Sequence, residues 1–101
     1  PVSFMREHYD RICYVHLKCV NGDLLRRVKS ENITLAEAVD MGTFCEPVNG
    51  VVDFKGFADV LKQVGYDGIA TVEHDMHRPP LDVPLPIARR SLAYYMDAGI
   101  G

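Results

Sequence analysis

Two short apolar runs that turn polar at their C-terminal ends constrain this chain more than any other feature. The first is Ile12-Cys13-Tyr14-Val15-His16-Leu17-Lys18, and the second is Ile69-Ala70-Thr71-Val72-Glu73-His74-Asp75. Side chains along a strand alternate between faces, so Tyr14, His16 and Lys18 share one side of the first run. Thr71, Glu73 and Asp75 share one side of the second, while Ala70 and Val72 face the other way. A change from apolar to polar toward the C-terminal end is the pattern of a parallel α/β barrel, whose chemistry sits at the C-terminal mouth of the strands. The two runs therefore direct an imidazole, an ammonium and two carboxylates toward one site.

Length and charge narrow the function classes. A chain of 101 residues with 48% apolar content is one domain at most and buries only a modest core. A formal charge of −3 and a pI near 5.7 argue against a dedicated nucleic-acid binder. No apolar run reaches the length of a membrane span, and Pro1-Val2-Ser3-Phe4 lacks a signal pattern. Cys13, Cys19 and Cys45 are odd in number and show no CxxC spacing, which points to a reduced, cytoplasmic protein.

The expected order is strand, helix, strand, helix. Residues 1 to 10 read as a helix end or lead-in loop, followed by a strand at about Arg11 to Cys19. Residues 21 to 32 read as a long charged loop with one helical turn near Leu24-Leu25. Thr34-Leu35-Ala36-Glu37 is a capping-box pattern that opens a short helix, which Gly42 can end. Residues 44 to 52 read as irregular. Asp53 can cap a helix whose Phe54, Phe57, Ala58, Leu61 and Val64 recur at helical spacing, with Gly65 as its stop. After the second strand, Pro79, Pro80, Pro84 and Pro86 make a stiff connection. The last helix is expected from about Pro86 to Ala98, burying Ala88, Leu92, Tyr95 and Met96.

Consecutive strands joined through helices are parallel. Two parallel strands leave edges and a face open, so this chain is expected to be a piece of something larger. Its sheet would be completed by the remainder of a barrel or by another copy in a homo-oligomer.

Several segments together resemble a known family. Val15-His16-Leu17-Lys18 is similar to the HxK strand of the xylose isomerase-like barrels, the group of sugar isomerases, epimerases and inosose dehydratases. Gly42-Thr43-Phe44, then Pro47-Val48-Asn49-Gly50-Val51-Val52-Asp53-Phe54, resembles the family's G-x-F…G-x-G-x-x-D-F loop. Leu61-Lys62-Gln63-Val64-Gly65-Tyr66-Asp67-Gly68 is similar to its L-x-x-x-G-Y-D/E-G turn, and Val72-Glu73-His74-Asp75 to the V-E-x-D of its last strand. The resemblance runs in order from about residue 11 to residue 96 and is strongest toward the inosose dehydratase branch. It implies that residues 1–101 are the C-terminal βαβα portion of a (β/α)8 TIM barrel, about two strand-helix units. It also implies a divalent metal (Mn, Co, Mg or Zn) with His16 and Glu73 as two ligands, and Lys18 on substrate. Cys19 stands where the family often has an acid, and Asn49 where it often has glycine or a small polar residue. Both departures leave the substrate open.

The chemistry is coherent on the residues alone. Imidazole and carboxylate donors suit a divalent ion that polarises a carbonyl and acidifies the adjacent C–H. A protonated Lys18 would stabilise the resulting oxyanion, and Glu73 is the other catalytic candidate. Reprotonation gives isomerisation or epimerisation, and loss of a β-hydroxyl gives dehydration, so the expected partner is a small sugar or keto-cyclitol. Asp75 and Glu46 are candidate substrate-binding residues, with a plain helix cap as the other reading of Asp75.

A histidine in an apolar strand is ordinarily a hydrogen-bonded core residue, although the face shared with Lys18 favours a ligand for His16. His74 and His77 have HxxH spacing, but the segment is not helical and Pro79 follows, which counts against ligation. Arg26, Arg27 and Lys29 read as a solvated charged loop before a phosphate patch. Cys19 is a bystander at the site entrance. Two other functions fit the same segments, a non-catalytic oligomerisation module and an endonuclease of the same superfold. The acidic pI and the shortage of ligands disfavour the endonuclease.

Overall fold

A computed structural model describes all residues, Pro1–Gly101, as a mixed α/β arrangement. The chain runs from α1 (Val2–His8) through a 3-10 turn at Tyr9–Arg11 into β1 (Tyr14–Leu17) and β2 (Cys19–Val20). Two helices follow, α2 (Gly22–Ser30) and α3 (Leu35–Asp40), then β3 (Phe44–Cys45) and a 3-10 turn at Pro47–Asn49. The order ends with α4 (Phe54–Gln63), β4 (Ile69–Val72) and α5 (Pro84–Asp97). No helix is long and apolar enough to cross a membrane.

The two strands read from the sequence do pair in parallel. Tyr14 lies opposite Ile69, Val15 opposite Ala70, His16 opposite Thr71 and Leu17 opposite Val72. These two strands form the whole of that sheet, so each has a free edge. A separate antiparallel ladder pairs Cys19 with Cys45 and Val20 with Phe44. The first strand is thus shorter than the expected Arg11 to Cys19. After Leu17 the chain leaves β4 and pairs with β3 instead, which divides the run into two strands.

Local chemistry explains the helices. The Asp53 side chain accepts from the Gly56 amide at 2.8 Å and caps α4. Helical spacing then buries Phe54, Phe57, Ala58 and Leu61 on one side, with Val60 also buried. Gly65, at φ 65°, takes the left-handed conformation that ends the helix. The capping box of α3 is complete: the Glu37 amide donates to Thr34 Oγ1 at 3.4 Å, and the Thr34 amide donates to Glu37 Oε2 at 3.0 Å.

The helices depart from expectation in three ways. The charged stretch after Asn21 is a nine-residue helix, α2, where a long loop was expected. The Asn21 side chain accepts from the Asp23 and Leu24 amides at 3.0 and 3.1 Å, and Arg27 bonds both oxygens of Glu31 one turn on. The last helix starts at Pro84, two residues before the expected Pro86, because proline is compatible with a first helical turn. Its buried residues are Ser91 and Tyr95, whereas Ala88, Leu92 and Met96 are exposed.

The core lies where α1, α4 and α5 meet β1 and β2. It contains Met5, Leu17, Cys19, Phe54, Phe57, Ala58, Val60, Leu61, Tyr95 and Ile100. Phe54 and Tyr95 meet edge to face, with centroids 4.8 Å apart. Only 14 of 101 residues are buried, and Tyr14, Ile69, Leu92 and Met96 stay open to solvent. Apolar surface therefore remains on the sheet and on α5. Replacing Thr34 by alanine removes the cap of α3 and is expected to cost about 1 kcal/mol in urea unfolding, with Thr34→Ser retaining most of it.

Candidate functional site

The site begins at one backbone oxygen. Leu17 O, at the end of β1, accepts the Glu73 amide at 3.0 Å and so extends the parallel pairing one residue beyond β4. The same oxygen accepts the Tyr95 hydroxyl of α5 at 3.2 Å. His16 and Lys18 flank Leu17 and both project to the opposite face from it, as strand alternation requires. Glu73 and Asp75 project from the neighbouring strand end toward the same face.

Their side chains meet as the sequence predicts. His16 Nδ1 lies 2.6 Å from Glu73 Oε2, and Lys18 Nζ lies 2.5 Å from Glu73 Oε1 and 2.8 Å from Asp75 Oδ2. Each oxygen of Glu73 thus has a different partner. Phe44, from β3, places its ring centroid 4.7 Å from Lys18 Nζ, a cation–π contact. Tyr14 packs its ring against His16 with centroids 5.5 Å apart.

Burial disfavours the charge on Lys18, but its hydrogen bonds to Asp75 and Glu73 outweigh that effect and hold the ammonium above its usual range. The hydrogen bonds from Lys18 and then from His16 hold the Glu73 carboxyl below the usual carboxylate range. The site is therefore a charged network at neutral pH, with Lys18 cationic and Glu73 anionic. About half of the His16 side chain and a third of the Glu73 side chain remain exposed, so both are accessible to a ligand.

As a metal site, this donor set fits in part. Imidazole nitrogen and carboxylate oxygen are suitable first-row donors, and they adjoin one another. No three His, Cys, Asp or Glu side chains of the chain converge closely enough to hold an ion. His16 and Glu73 thus supply two donors, and any ion there needs others from water, substrate or another segment.

The remaining candidates lie elsewhere. Glu46 is engaged by Arg90 of α5, whose Nε and Nη2 each donate to one carboxylate oxygen at 2.8 Å. That pairing holds the Glu46 carboxyl below its usual range. His77 pairs with Asp40 at the end of α3. With His74 they line an open cleft of about 710 Å³ beside Asp75. Arg26 pairs with Asp23 and Arg27 with Glu31, which agrees with a solvated charged face. Sequence reasoning missed Phe44 and Arg90 at these positions, and took Tyr95 for a packing residue alone. Periodicity can place Tyr95 in the core but carries no signal for the carbonyl its hydroxyl reaches.

Comparison with known proteins bears out the resemblance. The chain is 33% identical over 100 residues to the inosose dehydratase of Glaesserella parasuis, covering 98% of this chain and 33% of that protein. The figures are the same for the inosose dehydratase of Histophilus somni. For that of Clostridium tetani they are 31% identity, 96% of this chain and 32% of the relative. The chain spans about a third of the length of these curated relatives. No family model matches.

Two outcomes follow from the geometry. Tyr95 is pushed up to about 12 by burial, so it remains a hydrogen-bond donor throughout the neutral range. Tyr95→Phe is expected to cost about 1 kcal/mol and to speed hydrogen exchange of the Glu73 amide, read by NMR. Glu46 has a folded-state value below its unfolded 4.5, so its contribution is present above pH 4.5 and lost as pH falls through the lower value. Denaturation measured from pH 6 down to about 2 should show a shallower acid decline in Glu46→Gln.

Proposed function

We propose that this chain, a relative of the inosose dehydratases along nearly its whole length, carries part of the active site of a metal-dependent enzyme acting on a sugar or keto-cyclitol. The observation that carries the reading is the His16–Glu73–Lys18–Asp75 network at the C-terminal ends of two paired parallel strands. Dehydration is the favoured reaction because the relatives named above are dehydratases. The same network would serve an isomerase or epimerase, since all three reactions start by removing a proton next to a carbonyl.

His16 and Glu73 would hold the divalent ion, whether Mn, Co, Mg or Zn. When bound, such an ion supplies Lewis acidity that acidifies the C–H beside a carbonyl. Lys18 places its ammonium where negative charge develops on a substrate oxygen, and its tie to Asp75 fixes the direction of that charge. Asp75 would orient a substrate hydroxyl by accepting a hydrogen bond from it. Phe44 covers one side of the ammonium and limits its contact with water. Glu46, already saturated by Arg90, would act on substrate only by exchanging that partner.

Residues 1–101 would form the last two strand-helix units of a (β/α)8 barrel. The free edges of β1 and β4 and the exposed Ile69, Leu92 and Met96 are the surfaces the remaining units would cover.

The test compares the protein with Glu73→Gln by plasma mass spectrometry and by turnover of ketoses and inososes. About one divalent ion per chain in the parent, with metal and turnover both lost in a folded variant, is the expected result. Turnover retained in Glu73→Gln would overturn the catalytic role of Glu73. Absence of metal and of turnover in both would instead support a non-catalytic module.

A further inference from the structure

We propose that Cys19 and Cys45 form a redox-active pair that closes to an intrachain disulfide at the base of the α2–α3 excursion. They are direct partners in the antiparallel β2–β3 ladder, so their side chains leave the same face. Both sulfurs converge on Gly50. A Cβ built at Gly50 would stand 2.1 Å from Cys19 Sγ and 3.1 Å from Cys45 Sγ. Glycine at this position thus leaves the space that the two sulfurs share. Directly paired antiparallel residues have Cα atoms roughly 4.5–5.5 Å apart, a separation that a disulfide spans.

The two thiols differ in access, which sets the order of events. Cys19 is 1% exposed and Cys45 is half-buried, while Cys13 lies exposed before the start of β1. The co-reactant is a hydroperoxide. The Cys45 sulfur attacks its O–O bond, which breaks to leave a sulfenic acid and release one water or alcohol. Cys19 sulfur then attacks the Cys45 sulfur, the S–S bond forms and a second molecule, water, leaves with the sulfenic oxygen. Two electrons pass from the thiols to the peroxide, and the two thiol protons end on the released molecules. Burial, reinforced by the adjacent Cys19, pushes the Cys45 thiol up, so the first step is slow at neutral pH.

The bond would close the loop formed by residues 19–45, which contains α2 and α3. It would also fix the strand partners beside Lys18 and Phe44. This inference does not depend on the proposed catalytic reading.

The test exposes the wild-type protein to hydrogen peroxide, blocks remaining thiols under denaturing conditions and maps the peptides by mass spectrometry. The expected result is a Cys19–Cys45 linked peptide pair two hydrogens lighter than the two free-thiol peptides, restored to free thiols by dithiothreitol. Cys19 blocked as a free thiol while Cys45 carries sulfinic or sulfonic acid would overturn the proposal. So would full recovery of both free thiols after prolonged exposure. In Cys45→Ser the same treatment should leave Cys19 free, and linkage of Cys19 to Cys13 in the wild-type protein would overturn the pairing.

Discussion

The Leu17 carbonyl joins the core to the charged network. Of its two hydrogen bonds, the one from the Glu73 amide sets the register between the strand ends, and the one from Tyr95 ties that register to α5. Strand alternation then determines the rest: with Leu17 turned into the core at 3% exposure, His16 and Lys18 must face outward. A slip of one residue would bury the imidazole and the ammonium and expose Leu17. Core packing and site chemistry are thus two faces of one strand, and neither can be rearranged alone.

Electrostatics then organises the exposed face around a single cation. Lys18 lies against two carboxylates and an aromatic ring, and the aromatic contact excludes water from one side without competing for its protons. Glu73 divides its oxygens between Lys18 and His16, so a change in the charge of either partner is felt by the other through one carboxylate. Glu46 shows a contrasting solution. Arg90 matches both of its oxygens at once and leaves little hydrogen-bonding capacity for a further ligand.

How much could be read in the sequence depended on how local the physics was. The capping box at Thr34 and Glu37, the cap at Asp53 and the apolar face of α4 are set by neighbours within a few residues, and all three were legible. The convergence of His16, Lys18, Glu73 and Asp75 was legible because alternation and parallel pairing suffice to place them. The extent of α2 was hidden because its many charges resemble a loop, and its helix is held by a cap and ion pairs more than by a buried face. On α5, Tyr95 is buried as its spacing predicts, but Leu92 and Met96 were misplaced because they have core-like chemistry and meet no covering layer in this chain. Glu46 and Arg90 are 44 residues apart, and no local pattern encodes their meeting.

The start of α5 carries one more consequence. Val83 offers no side-chain cap, yet Pro84 and Pro86 stand within the first turn, where their missing amides remove donors that would otherwise need partners. The ring torsion of proline, a covalent constraint, thus takes the place of a polar cap. Salt and acid can loosen the ends of α2 and α3, which rely on ions and side-chain oxygens, but have no comparable grip on this helix entrance. The entrance of the helix that anchors Tyr95 is thus insulated from the ionic conditions to which the charged face, and the Arg90–Glu46 pair further along the same helix, respond.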